Sequence, residues 1–247
     1  MGLDFGGQVG PSGSLGLEII RADGRHQHIW AEGPPPPAEL QRELSFAEIV
    51  HFGFPQSGLP DEVNVWRKKN LPNLWRGLWR ALTARKLGIP THYGSLYLRK
   101  LCADGSIVDY GLASMRVVTD NGCGFIVDAF QNLVELENMK FHGIGTGSTA
   151  ENATDSALVT ELTTQYNPDN TRATGTTAEA SQKVYSTVAT NTPDSGHPIA
   201  LREHGVLSQA ATGGGVLLDR TVYASISLDT VGDALQSTYT LTFNSGS

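Results

Sequence analysis

The stretch LQSTYTLTF near the C-terminus constrains the fold more than any other feature of the sequence. From Leu235 to Phe243, Leu, Ser, Tyr, Leu and Phe alternate with Gln and Thr, so the two kinds of side chain point to opposite faces of an extended strand. An alternation with a period of two predicts a half-buried antiparallel β-strand. Upstream, from Gly143 onward, Thr, Ser, Gly, Ala and Asn dominate and Lys183 is the only lysine. This composition favours a β module that packs beside copies of itself over a catalytic domain.

The composition of the whole chain supports a mainly β protein. Its 247 residues are 39% hydrophobic, which is enough to bury a core. The 28 glycines and 12 prolines interrupt the chain more often than a helical bundle tolerates. We therefore expect a mainly β fold with a few short helices, ending in an antiparallel, jelly-roll-like β-sandwich. Strands are predicted over Ser95–Cys102, Ser106–Leu112, Met115–Thr119, Thr171–Gly175, Lys183–Thr190, Ile199–Ser208, Gly215–Leu228 and Leu235–Phe243.

The distribution of glycine and proline divides the chain into three segments. Residues 1–37 are rich in glycine and end in a run of prolines, which predicts an extended arm followed by a stiff polyproline spacer. Residues 38–116 predict an anchoring region of helices and strands, and residues 117–247 predict the β-sandwich module. Helices are predicted over 38–50, over 72–88 with Pro72 in the first turn, and over 125–136, with a short helix-like segment over 156–162.

Charge is distributed unevenly along the chain. Residues 141–247 hold four basic and ten acidic side chains, a net charge of −6. We do not expect this part to bind nucleic acid, because affinity for phosphate requires clustered cations. Residues 63–103, by contrast, hold nine basic side chains and no acidic one.

The basic segment 63–103 also carries tryptophan and tyrosine between its cations. Such a combination can stack on nucleobases, lie on an anionic membrane or dock on an acidic protein surface. Because the C-terminal part of the same chain is acidic, we favour a protein partner over nucleic acid and over a membrane. The residues predicted to anchor the chain to this partner are Trp66, Arg67, Lys68, Lys69, Trp75, Arg76, Trp79, Arg80, Arg85 and Lys86.

Two motifs could bind a ligand. The segment Gly143–Thr149 resembles a phosphate-binding loop, but Ser148 replaces the third glycine of GxGxxG, so we expect a turn or a strand edge. His142, His197 and His204, together with Glu203 and Asp194, could supply metal ligands. Their spacing does not place them on one element, so we expect scattered surface or cross-strand histidines. A metal on a threefold axis, with one histidine from each of three subunits, is the alternative. No cofactor is expected.

The sequence also lacks the usual pattern of a catalytic nucleophile, since neither GxSxG nor SxxK occurs. Asp219 and Arg220 are interpreted as an ion pair or as a hydrogen-bonding arginine at a strand end, and not as catalytic groups. Paired carboxylates for sugar hydrolysis stay open, because two distant acids meet only in the fold. We expect a protein without enzymatic activity.

The cysteines and the N-terminus predict the compartment. Cys102 and Cys123 show no CxxC or Cys/His spacing, so we expect reduced thiols and no disulfide. The start MGLDFGGQVGPSGS lacks the basic residues and the apolar run of a signal peptide. These features predict synthesis in a reducing cytoplasm and a soluble product.

Two runs of the C-terminal half form a distinctive pair. The first is a predicted strand with Leu201, Glu203, Gly205, Val206 and Leu207. The second is LLDRTVY, from Leu217 to Tyr223, which follows the turn Gly213–Gly215. Together they resemble the signature of a family of tailed-bacteriophage virion structural proteins. The resemblance extends over Val117–Phe243, about half of the chain, and it does not cover residues 1–116.

This resemblance implies a virion component that is assembled in the host cytoplasm. The family's roles include capsid decoration, neck and tail, and we expect a capsid decoration or cement protein that binds the lattice of the major capsid protein. A neck, tail or tail-fibre component is the first alternative. A glycan-binding adhesin or a hydrolase is the alternative of another class. The implied partners are the major capsid protein or other virion proteins and further copies of the chain, with a trimer preferred.

Overall fold

A computed structural model describes residues 5–9, 15–20, 26–30, 34–116, 118–166 and 168–245, and it confirms a mainly β, antiparallel fold. The strands are β1 (Phe5–Val9), β2 (Leu15–Ile20), β3 (His26–Trp30), β4 (Thr91–Leu101), β5 (Ile107–Arg116), β6 (Phe141–Gly145), β7 (Ala173–Thr174), β8 (Thr176–Ser181), β9 (Val184–Asn191), β10 (Ile199–Leu207), β11 (Leu217–Leu228) and β12 (Ala234–Asn244). The α-helices are α1 (Phe46–Gly53), α2 (Asp61–Lys86) and α3 (Asp120–Phe130), and 3₁₀ turns cover Ala38–Gln41 and Leu136–Asn138.

Two antiparallel sheets face each other as a sandwich. One has the strand order β5-β4-β12-β9-β8, and the other has the order β11-β10-β6-β7. The predicted C-terminal strand is the centre of the first sheet, where β12 pairs with both β4 and β9. Its inward residue Leu235 packs with Leu98 of the same sheet and with Leu201 and Ile226 of the opposite sheet. One face of β12 thus lies in the core between the sheets. The prediction of a half-buried strand was wrong, because Gln236, Thr238, Thr240 and Thr242 on its other face are buried as well.

Helix α2 closes one open side of the sandwich. The edge strands on this side are β5 and β11, one from each sheet, and α2 packs against both. The side chain of Asn70 donates to the carbonyl of Ala113 on β5 (2.7 Å) and accepts from the amide of Ala224 on β11 (3.0 Å). Trp66 donates its indole N–H to the carbonyl of Ala224 (2.7 Å). The helix thus satisfies backbone groups that an uncovered sheet edge would leave unpaired.

The chain passes between the sheets at the opposite side. A single residue, Gly175, separates β7 of one sheet from β8 of the other, and its amide donates to the carbonyl of Lys140 (2.7 Å). A Cβ at this position would lie 2.8 Å from the same carbonyl. The close approach of two backbone segments therefore requires glycine here.

The helices differ from the sequence predictions. The segment 38–50 divides into a 3₁₀ turn and α1, whose N-terminus is fixed by a capping box between Ser45 and Glu48. Helix α2 begins eleven residues before Pro72, so placing this proline in the first turn was wrong. Pro72 has no N–H to donate to the carbonyl of Lys68, four residues earlier in the helix. Because both residues are exposed, water can bind this carbonyl instead. None of the helices within the described ranges has the length and the apolar character needed to cross a membrane.

The remaining two helix predictions were partly or wholly wrong. Helix α3 begins at Asp120, five residues before the predicted start, because Thr119 caps it by accepting from the amide of Gly122 (3.0 Å). The segment 156–162 contains no helix. Its residues instead follow the edge of β6, where Leu162 donates to the carbonyl of Ile144 (3.0 Å).

The N-terminal segment forms strands that pair with one another. Strands β1, β2 and β3 make a three-stranded antiparallel sheet, so the described parts of residues 1–37 are not one extended arm. The start of the proline run lies against the sandwich: Gln236 donates to the carbonyl of Pro34 (2.9 Å) and Arg99 to that of Pro35 (3.1 Å). Strand pairing also crosses the predicted boundary at residue 116, because β4 and β5 belong to the same sheet as β12.

Candidate functional site

Helix α2 carries all ten predicted anchoring residues, and it divides those whose side chains are described between two faces. Trp66 and Arg67 are buried, and predicting them as surface anchors was wrong. Arg67 donates to the carbonyls of Tyr110 (2.9 Å), His51 (3.0 Å) and Phe54 (3.0 Å). Burial lowers the pKa of Arg67, so this guanidinium depends on its hydrogen bonds to carbonyls inside the protein. Both residues anchor the helix to its own sandwich.

The other face of α2 is open and basic. We call this the α2 surface, and its exposed residues are Lys68, Lys69, Trp75, Arg76, Trp79, Arg80 and Lys86. The side chain of Arg85 lies outside the described set. Trp79 is 63% exposed, and Trp75 meets the ring of Phe54 edge-on at 6.1 Å between centroids. A shallow groove runs between the two tryptophans, Pro72 and the two arginines that follow the tryptophans.

The cations of the α2 surface have no internal counter-charge. Among the described residues, no carboxylate forms an ion pair with them, although several ion pairs occur elsewhere in the protein. Exposed tryptophan and unpaired arginine are the residue types that dominate protein-binding hot spots. The α2 surface is therefore chemically suited to dock on an acidic, partly apolar protein surface.

A second exposed surface lies at the C-terminal end of α3. We call it the α3 tip, and its apolar members are Val127, Phe130, Leu133 and Leu136. Phe130 is 86% exposed and Leu133 is 68% exposed. The buried face of α3 is instead formed by Phe125, which packs against Leu218 and Met139. The sequence pattern predicted a helix over 125–136 but did not identify this surface.

The surroundings of the α3 tip are acidic. Residues 117–139 contain four carboxylates and neither lysine nor arginine. Asp120, Asp128 and Glu135 line a groove beside the tip, together with Leu133. The lack of lysine and arginine over residues 117–139 was the sequence feature that could have indicated this acidic surface, whose charge is opposite to that of segment 63–103.

The glycine-rich loop after β6 holds an anion that belongs to the chain itself. The carboxylate of Glu203, on β10, is fully buried and accepts hydrogen bonds from the amides of Gly147 (3.1 Å), Val159 (3.1 Å) and Thr160 (2.6 Å). A Cβ at Gly145 would lie 2.6 Å from a Glu203 oxygen, so glycine permits the approach. The expectation of a structural role fits this geometry, because the carboxylate accepts from one amide of the segment Gly143–Thr149 and from two amides further along the chain.

Arg220 completes this buried network. It donates to Glu203 (2.9 Å), to Asp155 (2.9 Å) and to the carbonyl of Thr149 (3.0 Å). Arg220 is ion-paired and hydrogen-bonded, but its partners are Glu203 and Asp155, so an ion pair between Asp219 and Arg220 was wrong, as was the position at a strand end, because both residues lie within β11. Asp219 points to the opposite face of β11, accepts from Thr221 (2.9 Å), and has its pKa raised to about 7 by burial. Neither side chain reaches the surface.

Two of the three candidate histidines meet in the core. His142 on β6 and His204 on β10 lie 2.9 Å apart, from Nδ1 to Nε2, and His142 also contacts the hydroxyl of Thr187 on the facing sheet (3.1 Å). Burial lowers the pKa of His142 to about 3 and that of His204 well below its ordinary value. His197 lies apart from this pair, before β10. Within the described residues, no group of three His, Cys, Asp or Glu is placed to hold a metal ion.

The two cysteines of the sequence are free thiols, as expected. Burial raises the pKa of both Cys102 and Cys123, which keeps them protonated. Cys123 lies 3.3 Å from the ring nitrogen of His92. With a raised thiol pKa, this pair does not have the thiolate character of a reactive cysteine.

The positions that carry the resemblance to phage virion proteins form the centre of this buried network. Leu201 to Leu207 make β10, Leu217 to Tyr223 lie in β11, and the two strands pair directly. Their polar members Glu203 and Arg220 bind the loop between β6 and β7, so the motif has a structural explanation. Comparison of the chain with protein families, curated proteins and solved structures found no match.

Proposed function

We propose that this chain is a structural component of a tailed-bacteriophage particle, specifically a capsid decoration protein that attaches to other virion proteins through its α2 surface. The observation that carries the proposal is the exposed pair of tryptophans set among cations that no described carboxylate neutralises. A surface of this kind is costly to leave in water and gains most from an acidic protein partner.

The interior of the sandwich supports a structural and not a catalytic role. The polar groups that could perform chemistry, Glu203, Arg220, His142 and His204, are buried and bonded to one another or to backbone groups. They hold loops and sheets together and do not face a cleft. The resemblance of β10 and β11 to phage virion proteins supplies the biological setting, and it rests on their motif residues alone.

The proposal is tested in the particle and with purified components. Mass spectrometry of purified virions should detect the chain, and image reconstruction should place it on the capsid; density at the neck or tail would instead support the alternative role. Purified chain should bind empty capsids. The variant Arg76→Ser/Trp79→Ser, which truncates two exposed residues of the α2 surface, should lose this binding.

The matched control is Arg202→Ser/Val159→Ser, which also removes one exposed cation and one exposed apolar side chain, but away from α2. It should bind capsids like the unmodified chain. Absence of the protein from mature virions would overturn the proposal, as would turnover of a substrate by the purified chain. If both variants bound capsids equally well, the α2 surface would not be the attachment site.

A further inference from the structure

The α3 tip exposes four apolar side chains within ten residues of the chain. Val127 and Phe130 lie one turn apart on the same face of α3, and Leu133 and Leu136 follow in the next turns of the chain. All four are more than half exposed. Clustered exposed side chains of this size mark a contact with another molecule.

The charge around the α3 tip restricts what that molecule can be. Asp120, Asp128 and Glu135 line the adjoining groove, and residues 117–139 provide no cation to neutralise them. Two α3 tips facing each other would bring like charges together, which opposes a symmetric contact between them. The favoured occupant is apolar at its centre and basic at its rim.

The α2 surface of a second copy has this chemistry. Trp75 and Trp79 supply the apolar centre, and Arg76 and Arg80 flank them. The basic side chains of segment 63–103 and the acidic ones of segment 117–139 are each uninterrupted by the opposite sign. One chain thus carries both halves of a complementary contact on two different helices.

We propose that the α2 surface of one copy docks on the α3 tip of the next. This inference deepens the proposed function, on which it rests, by naming a neighbouring copy as the partner of the α2 surface. Because the two contact surfaces differ, a bound pair still offers one free α2 surface and one free α3 tip, and the contact can repeat from copy to copy. An open row of copies keeps a free α2 surface at one end for the capsid. Closure after three copies would give the trimer predicted from the sequence and would use every α2 surface within the ring.

The test uses two variants that each remove one half of the contact. Arg76→Ser/Trp79→Ser truncates the α2 surface and leaves the α3 tip intact. Phe130→Ser/Leu133→Ser truncates the α3 tip and leaves the α2 surface intact. All four side chains are exposed, so both variants are expected to fold, which circular dichroism and thermal unfolding verify.

Sedimentation velocity of the purified full chain should show concentration-dependent association that weakens as salt is raised. Each variant alone should associate at least tenfold more weakly. An equimolar mixture of the two should form a one-to-one complex, because the remaining intact surfaces are complementary. The control Arg202→Ser/Val159→Ser should associate like the unmodified chain.

Two results would overturn the inference. One is an unmodified chain that stays monomeric at every concentration. The other is a mixture of the two folded variants that forms no complex. Both leave the proposed function standing if the chain still binds empty capsids through α2. Conversely, self-association of a chain that is absent from virions would support the docking contact and overturn only the virion role.

Discussion

Arg220 and Glu203 form an ion pair inside the protein, 2.9 Å between nitrogen and oxygen, with both side chains almost fully excluded from solvent. The pair lies between strands β10 and β11 and the loop that follows β6. Because three backbone amides of that loop also donate to Glu203, the carboxylate determines where the loop lies. Removing its charge would leave Arg220 and these amides without an acceptor of equal strength.

Glu203→Gln should therefore destabilise the protein strongly. The amide nitrogen of Gln would replace an acceptor with a donor, facing groups that themselves donate. We expect the free energy of unfolding to fall by about 3–5 kcal/mol, the range for breaking a buried ion pair from one side. Denaturant unfolding measures this change. Arg202→Gln, on the same strand but exposed, should change stability by less than about 0.5 kcal/mol; equal effects of the two substitutions would contradict the assigned role.

The buried histidine pair should make stability depend on pH. The pKa of His142 is about 3 in the folded chain against an ordinary value of 6.5, so between these values only the unfolded chain binds this proton. The free energy of unfolding should then fall as the pH is lowered from 7 to 4, by up to about 1.4 kcal/mol per pH unit for each proton. His204 contributes with the same sign. Asp219 acts oppositely, because its raised pKa, about 7, makes the folded chain bind a proton that the unfolded chain releases.

His142→Gln checks the origin of this slope. Removing one histidine should make the decrease in stability between pH 7 and pH 4 shallower, whatever the variant does to stability at pH 7. Urea unfolding at a series of pH values measures the slope. An unchanged slope in His142→Gln would show that other groups cause the pH dependence.

Asn70 should be a polar residue of α2 on which stability depends strongly. Asn70→Ala leaves the carbonyl of Ala113 and the amide of Ala224 without partners in a buried place. We expect a loss of about 1–3 kcal/mol for each backbone group, measured by denaturant unfolding. The adjacent Lys69→Ala removes a longer but exposed side chain and should be close to neutral. A mild effect of Asn70→Ala would mean that water reaches these edges.

Two glycines of α3 should respond to alanine with opposite signs. A Cβ at Gly122 would lie 2.6 Å from the carbonyl oxygen of Leu218, so Gly122→Ala should push the helix away from β11 and destabilise the protein. A Cβ at Gly124 would meet nothing within 4 Å. Gly124→Ala should therefore stabilise the protein by up to about 1 kcal/mol through helix propensity. The midpoint temperature of thermal unfolding, measured for both variants, tests these changes in stability. A stabilising effect of Gly122→Ala would contradict the close packing of α3 on β11.

The strands were more predictable than the helices because strand patterning is local. The alternation of β12 and the turn residues that separate β9, β10 and β11 indicate where these strands lie, but the alternation did not show that both faces of β12 are buried. The start of α2 depends instead on packing against two sheet edges, which overrides the preference of Pro72 for a first turn. The buried roles of Trp66 and Arg67 follow from the same tertiary contact, and composition alone does not reveal them.

The α2 surface and the α3 tip also depend on tertiary contacts that the sequence pattern does not show. The charge of segment 63–103 was visible in the sequence, but which cations face solvent was set by the packing of the helix. The α3 tip was not predicted because Phe130 and Leu133 are of residue types that are usually buried in the core. Only the tertiary structure shows that Phe125 takes the inward position and leaves them outside.

The position of Asn70 between the edge strands β5 and β11 affects how the protein aggregates at high concentration. When proteins are packed side by side at high concentration, exposed edge strands can pair with the edge strands of neighbouring molecules. Such pairing leads to open-ended aggregation. With β5 and β11 occupied by a helix of their own chain, that route is blocked on this flank. Neighbours then meet through side chains on helices, whose shape and charge can reject a wrong fit.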